Sequence, residues 1–480
     1  MLADKRVGAA VAAAAIAAHA TALAGGFVWL DHAHLEDGLA LARPGDWPAL
    51  FTGGFAGTGF YRPLTALSLS LDAALGGAPL LYHATTLAFH AVAAVLTFIA
   101  AGSLGLSRRA ALLAGLLFAV HPATSLVAAA TAFRSESMIA VALLALVVLH
   151  VRARPLGAAL ALLAGALTKE TALVLGPLLI VALELGRAAP SATPQSRRTH
   201  RLLLAAEAVA WIVAVGLRLA FAPPWRAAWP ALATSEALGT RLAALWRSAS
   251  FVLLPVDRTI CDAFPVRTLA TGAAAAGLLV VVGLVVLAWR RRGPALLLVL
   301  TLLPSLNLVP VMRWWSPHYL YVALAFAAMV IGGAVTDALG DRTPRAWPVA
   351  AVVLLALAVV SARDDLRFRT DATLWGPEIA ANPACREGQF YLAEVSREAG
   401  RLEEAAERFE RAAAPTTGVL SYVDRSAALQ NLGVVRLQQQ HAPEAAAAFR
   451  AALAVTADLD KRRRLQHNLA FAEHQAGAAP

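Results

Sequence analysis

A short acidic stretch flanked by aromatics, Trp29-Leu30-Asp31-His32-Ala33-His34-Leu35-Glu36-Asp37, follows the first apolar run of the chain. Carboxylates there can take up a proton, and cations further along, Arg62, Arg134 and Lys169, can hold an anion. Glu136 and Glu170 lie close to two of those cations in sequence, and His121 and His318 can donate a hydrogen bond whether neutral or protonated. Ionisable groups at the mouth of an apolar bundle are unfavourable unless they pair or function, so they are the first candidates for a site. Each also has a plainer role. Arg134 with Glu136, and Lys169 with Glu170, read as local ion pairs, and Arg62 between Tyr61 and Pro63 reads as an interfacial anchor. Glu36 and Asp37 fit solvated loop charges, His121-Pro122 a helix stop, and His83 and His90, seven apart, polar groups packed inside a bundle.

The elements that must position these groups are apolar. The 480 residues are 59% hydrophobic and 15% charged, with a mean hydropathy of +0.63, beyond what a water-soluble domain of this size shows. About eleven runs fall at 7–29, 84–105, 110–128, 137–151, 156–168, 171–186, 202–221, 269–289, 294–311, 318–336 and 346–362. Most approach the roughly 17 to 25 residues a spanning helix needs. The fifth and sixth are short, and 241–256 is a further apolar stretch, re-entrant or interfacial. Lys5 and Arg6 with Ala22-Leu23-Ala24 fit either a cleavable signal peptide or a retained first span.

Cations occupy every second loop: Lys5/Arg6, Arg108/Arg109, Arg152/Arg154, Arg187 with Arg197, Arg198 and Arg201, Arg290 to Arg292, and Arg342/Arg345. This bias places those loops and the N-terminus in the cytoplasm. The alternate loops and the tail are then extracytoplasmic, and all the candidate chemistry lies on that side. The net charge of +10 follows mostly from the same bias, so it calls for anionic lipid and not for a nucleic acid. Trp225, Trp229, Trp314 and Trp315 fit an interfacial aromatic belt. Cys261 and Cys385 are both extracytoplasmic on this topology but lie in different segments, and free thiols are expected.

A membrane unit over 1–363 therefore gives way to a second unit over 371–480, where charge rises and helical periodicity takes over. Counting from Ala393, Ala405, Phe409 and Ala412 follow at offsets 12, 16 and 19, and counting from Gly433, Ala445, Phe449 and Ala452 repeat them. Small and aromatic residues so placed are the packing positions of tetratricopeptide helix pairs, whose usual period is ~34. The copies here are 40 apart, so an insertion around Thr416 to Tyr422 lengthens a helix or loop. Leu469-Ala470 opens a third partial unit.

A series of strings runs in order through the membrane unit: Trp29-Leu30-Asp31-His32, Tyr61-Arg62-Pro63-Leu64, Leu117-Phe118-Ala119-Val120-His121-Pro122, Arg134-Ser135-Glu136 and Thr168-Lys169-Glu170-Thr171. Leu254-Pro255 with Asp262, then Pro304-Ser305-Leu306-Asn307-Leu308-Val309-Pro310 and Tyr319-Leu320-Tyr321, complete it. With the repeats behind it, the whole chain resembles the transmembrane and tetratricopeptide-repeat-containing O-mannosyltransferase-like proteins of the C-type glycosyltransferase superfamily. It departs from their pattern at Leu30, where the first of two aspartates would stand, at Leu126, near a commonly acidic position, and at His318, which replaces an arginine.

The resemblance implies an all-α protein, a polytopic bundle followed by a soluble repeat solenoid. It also implies an inverting transfer of mannose or another hexose from a polyprenyl phosphate to a Ser or Thr hydroxyl of protein outside the cytoplasm. A hydroxyl is a poor nucleophile at neutral pH, so a carboxylate must take its proton, and Asp31 is the implied base. Lipid phosphate leaves readily and needs charge stabilisation, which Arg62, Arg134, Lys169 and His318 would supply. His32, Glu36, Asp37, Tyr61, His121, Glu136, Glu170, Asp262, Tyr319 and Tyr321 would support them. A divalent cation bridging Asp31 and phosphate is compatible, although no compact ligand cluster demands it. The repeats would receive a protein acceptor or partner, and the composition suits a bacterial inner membrane. A degenerate scaffold that recruits envelope proteins is the main alternative. A transporter would show inverted repeats with matched broken spans, and the sequence has no such symmetry.

Overall fold

The computed structural model describes residues 2–36, 44–55, 59–186, 194–223, 230–255, 257–290, 293–308, 313–339 and 346–477. Asp37, Arg187, Arg291, Arg292, Arg342, Arg345, Trp225, Trp229 and the Glu36 side chain lie outside the described residues. The first unit runs α1 (Leu2–Ala18), α2 (Pro63–Ala74), α3 (Pro79–Ser103), α4 (Arg108–Val120), α5 (Ser125–Ala129), α6 (Arg134–Val151) and α7 (Pro155–Thr168). It continues with α8 (Ala172–Leu185), α9 (Pro194–Phe221), α10 (Thr234–Leu253), α11 (Gly272–Arg290), α12 (Pro294–Thr301), α13 (Tyr321–Leu339) and α14 (Ala346–Asp365).

Each expected apolar run contains a helix. Among the described residues five of them, Pro79–Ser103, Thr131–Val151, Gln195–Phe221, Gly272–Arg290 and Pro317–Leu339, are long and apolar enough to cross a membrane by length and composition, and a sixth span arises if Arg108–Val120 and Pro122–Ala129, bent by 52°, count as one. The shortness of others has local causes. Pro155 opens α7 and the polar turn at Lys169 closes it, leaving 14 residues, while α8 also has 14 and α12 only 8, short of the ~20 needed to cross hydrocarbon. Residues 241–253 of the further apolar stretch belong to α10, which packs on α11, and residue 256 lies outside the described residues.

The centre of the bundle is α3, α4, α6 and α13, with α1 against α3 and α4. Small residues allow this closeness, as in other membrane bundles. A Cβ at Gly332 of α13 would come within 2.6 Å of the Ala110 carbonyl oxygen of α4. Trp314 and Trp315 are buried, and the Trp315 indole N–H donates to Ser248 Oγ on α10 at 3.0 Å. They pack between elements and do not form a belt.

The second unit is a succession of helices, α15 (Asp371–Ala381), α16 (Arg386–Glu398), α17 (Leu402–Ala413), α18 (Arg425–Gln438), α19 (Ala442–Val455) and α20 (Leu459–Gly477), each packed on the next. Ala393, Ala405, Phe409 and Ala412, and Ala445, Phe449 and Ala452, are all fully buried. A Cβ at Gly433 would lie 2.6 Å from the Phe449 ring, so the aromatic fills the space the glycine leaves.

The extra residues between the two copies contain β2 (Val419–Leu420), which pairs antiparallel with β1 (Phe264–Pro265) in the loop after α10. Beside this ladder Cys261 and Cys385 form a disulfide, with Cα atoms 5.9 Å apart. The expectation of free thiols is thereby corrected: the two cysteines are 124 residues apart, and only the docking of the tail brings them together. Maleimide labelling of denatured protein, without and with prior reduction, is expected to find no reactive thiol and then two.

Candidate active site

The chain enters the site through an unusual backbone. Trp29 adopts φ +57, a left-handed conformation that a bulky residue seldom takes. The surroundings hold it there: the backbone N–H donates to Asp371 Oδ1 at 2.9 Å, the indole N–H donates to Glu387 Oε1 at 2.7 Å, and the ring packs on Phe133 and Trp375. The turn decides which way the next two side chains face. Leu30 lines a cavity of about 190 Å³, and Asp31 is fully buried behind its wall.

Asp31 Oδ1 accepts the Ala132 N–H at 2.6 Å and Oδ2 accepts the Val28 N–H at 3.3 Å. Burial pushes this carboxyl up to about 7 against those two donors. In this position it fastens the loop before α6 to the first loop. The residues do not fit a metal bridging Asp31 and a ligand, because both oxygens are engaged and Asp31 is not on the cavity wall. Among the described residues the one His, Cys, Asp or Glu grouping compact enough for a metal is Cys261, Asp262 and Cys385, whose two sulfurs are bonded to each other.

The cavity itself gathers Arg62, Glu136, Lys169, Glu170, His318 and Tyr319 of the expected residues, together with His34, Phe60, Phe133, Ser135, Arg313 and Tyr422. Arg62 precedes Pro63 at the start of α2. Its guanidinium grips Glu170 with two bonds, Nε to Oε2 at 2.9 Å and Nη2 to Oε1 at 2.5 Å, and lies 4.1 Å from the centre of the Phe60 ring. Lys169, extended at the end of α7, pairs with Glu136 in the first turn of α6. His318 Nε2 stands 3.8 Å from the same Glu136 carboxylate, its Nδ1 held by Ser316 Oγ at 2.7 Å. Arg313 pairs with Glu387 of the tail. Three cations and two of their carboxylates, Glu136 and Glu170, thus surround one space.

Burial opposes the charge of Glu170, but Arg62 outweighs it and holds the carboxyl down at about 2. A carboxyl lower in the folded state than at its ordinary 4.5 stabilises the fold fully above that value and loses the contribution as pH falls toward 2. The contribution is about 3 kcal/mol at most. Glu170→Gln is therefore expected to flatten the acid limb of a melting-temperature profile between pH ~4.5 and ~2, while leaving Arg62 without its counter-charge at neutral pH.

The remaining expected residues lie elsewhere. Arg134 does not reach the cavity: it is fully buried, donating to Thr86 Oγ1, Ser68 and the Tyr82 carbonyl oxygen, with Nη2 2.6 Å from Asp72 Oδ2. His121 Nε2 meets the Val252 carbonyl oxygen at 2.9 Å and its Nδ1 accepts the Ala123 N–H, so it caps a turn. Tyr61 donates to the Phe51 carbonyl oxygen, Tyr321 meets His90 Nδ1 at 2.6 Å, and His32 meets Asp371 at 2.7 Å. Asp262 accepts from Ser421 Oγ at 2.9 Å and from the Tyr422 N–H, which ties it to the tail.

No protein-family model matches the chain. It is 48% identical over 66 residues to Protein O-mannosyl-transferase Tmtc1 of Drosophila melanogaster, a stretch covering 14% of this chain and 8% of that protein. The structure overlaps that of the arabinofuranosyltransferase AftD from Mycobacteria with 20% identity and a TM-score of 0.39, over 75% of this chain and 27% of that one. A mutant of the same enzyme gives 18% identity and the same TM-score. The chain therefore spans well under a third of the length of either protein, and what it shares with them is a local sequence likeness and a loose helical overlap.

Proposed function

We propose that the protein is an integral-membrane glycosyltransferase of the C type, moving a hexose from a polyprenyl-phosphate donor to a Ser or Thr hydroxyl on the extracytoplasmic side with inversion. The observation that carries this reading is the cavity, where Arg62, Lys169 and Arg313 stand beside Glu136, Glu170 and His318. The short likeness to a protein O-mannosyl-transferase supports it. The reading includes a bacterial inner membrane, a tail of tetratricopeptide type and a protein acceptor.

In this account the donor phosphate enters among the cations, and Lys169 exchanges Glu136 for a phosphate oxygen. Glu136, released, takes the proton of the acceptor hydroxyl as its oxygen bonds to the anomeric carbon. The bond from that carbon to the phosphate oxygen breaks with its electron pair, and the cations stabilise the departing polyprenyl phosphate. Glu136 takes the role first expected of Asp31 because it lines the cavity and Asp31 does not. Glu170 is too well held by Arg62 to be an effective base.

A second reading, a catalytically degenerate scaffold, is favoured by Leu30, the residue of the first-loop turn that faces the cavity. Membranes containing the protein, supplied with radiolabelled polyprenyl-phosphate hexose, separate the two. Label in a protein fraction supports the transferase, and its absence with folded protein present supports the scaffold.

A further inference from the structure

The tail approaches the cavity at Arg313. This residue lines the cavity wall and is 4% exposed, and it pairs with Glu387 at the start of α16. Its guanidinium carbon lies 4.6 Å from the centre of the Trp29 ring and 5.3 Å from that of Tyr422. Tyr422 is itself on the cavity wall, although it belongs to the segment between α17 and α18. One guanidinium nitrogen, Nη1, is buried without a hydrogen-bond partner, as is Glu387 Oε2. A buried guanidinium N–H left open is unfavourable, and an anionic oxygen beside it repairs the deficit.

The docking that brings Glu387 and Tyr422 here is extensive. The Cys261–Cys385 disulfide precedes Glu387 by two residues, and the β1–β2 pair precedes Tyr422 by two. Asp262 holds Ser421 and Tyr422, and Glu378 accepts the Ile260 N–H at 3.2 Å while pairing with Arg367. A unit attached only to recruit a partner would not need to place an aromatic at the wall of the membrane unit's cavity and a counter-ion on that wall's arginine.

We propose that the C-terminal unit is a component of the binding site: Glu387 and Tyr422 fix the Arg313 guanidinium so that its open nitrogen meets the phosphate of a polyprenyl-phosphate ligand. The inference rests on the phosphate-donor reading above. Arg313 is the binding residue, and Glu387 and Tyr422 are positioning residues. Free inorganic phosphate shares the anion chemistry but lacks the chain, so it should bind much more weakly.

The test is binding to the full-length protein in nanodiscs, with farnesyl phosphate, farnesol and inorganic phosphate as probes. Wild type is expected to prefer farnesyl phosphate over farnesol by tenfold or more. Arg313→Ala and Glu387→Ala should lose most of that preference and Tyr422→Ala part of it, with farnesol binding unchanged, while Glu387→Asp restores it. Removing one member of a buried pair endangers folding, so the Arg313→Gln/Glu387→Gln double variant, which leaves no lone charge, provides a second route to the same loss. Retention of the preference in the double variant or in Glu387→Ala overturns the proposal. Loss in Arg62→Ala with retention in Arg313→Ala overturns it too, but leaves the phosphate-donor reading intact. No preference in wild type removes both.

Discussion

Arg134→Leu is expected to prevent accumulation of folded protein, destabilising it by about 3–5 kcal/mol. Arg134 is the first residue of α6, and its guanidinium binds Ser68 and Asp72 of α2 and Tyr82 and Thr86 of α3. Asp72 is itself buried and also accepts from Thr85 Oγ1 at 2.8 Å. Removing the cation leaves this carboxylate in an apolar bundle without a counter-charge, which is the expensive case for a buried pair. The double variant Arg134→Leu/Asp72→Leu removes both charges and should recover much of the loss. Thermal aggregation followed by fluorescence-detected size exclusion measures both. A normal melting profile for Arg134→Leu with weakened donor binding would return Arg134 to the role of a phosphate ligand.

The second large effect concerns chemistry. Glu136→Gln is expected to lower transfer by about 10²-fold or more, the usual range for loss of a general base, without weakening donor binding, because the phosphate no longer displaces a carboxylate from Lys169. Gln keeps the volume and a hydrogen-bonding oxygen for Lys169 but not its counter-charge, so transfer is compared at equal folded amounts. Asp31→Asn should be mild by comparison. Asn retains the oxygen that accepts the Ala132 N–H, and the native carboxyl at about 7 is already substantially protonated near neutrality. A fall of no more than about threefold is expected, from the weakened contact with Val28.

Much of the cavity was legible because charge in an apolar chain is informative wherever it falls. Which charges meet was less so. Arg134 and Glu136, two apart on α6, point to different sides, so their expected pairing was already against helix geometry. Lys169 and Glu170 are neighbours, yet each takes a partner from another element, Glu136 and Arg62. The buried positions from Ala393 to Ala452 were readable because packing in a helix pair imposes fixed spacing.

Three features had weak or absent signals. Leu30 and Asp31 differ in facing because Trp29 is left-handed, and nothing in a tryptophan announces that. Arg313 was passed over beside Trp314 and Trp315, which read as a belt, although a lone arginine in an apolar neighbourhood is itself a reason to look. Tyr422 and the disulfide depend on long-range docking. The one hint was the spacing of 40 between the two sets of packing positions, which turned out to include β2.

The most direct measurement uses purified protein in proteoliposomes with a labelled polyprenyl-phosphate hexose and a Ser/Thr-rich acceptor peptide, comparing wild type, Glu136→Gln and Asp31→Asn at equal folded amounts. The cavity account predicts peptide labelling by wild type, a loss of about 10²-fold or more in Glu136→Gln and near-normal labelling in Asp31→Asn. Full transfer by Glu136→Gln, or none by folded wild type, would contradict it.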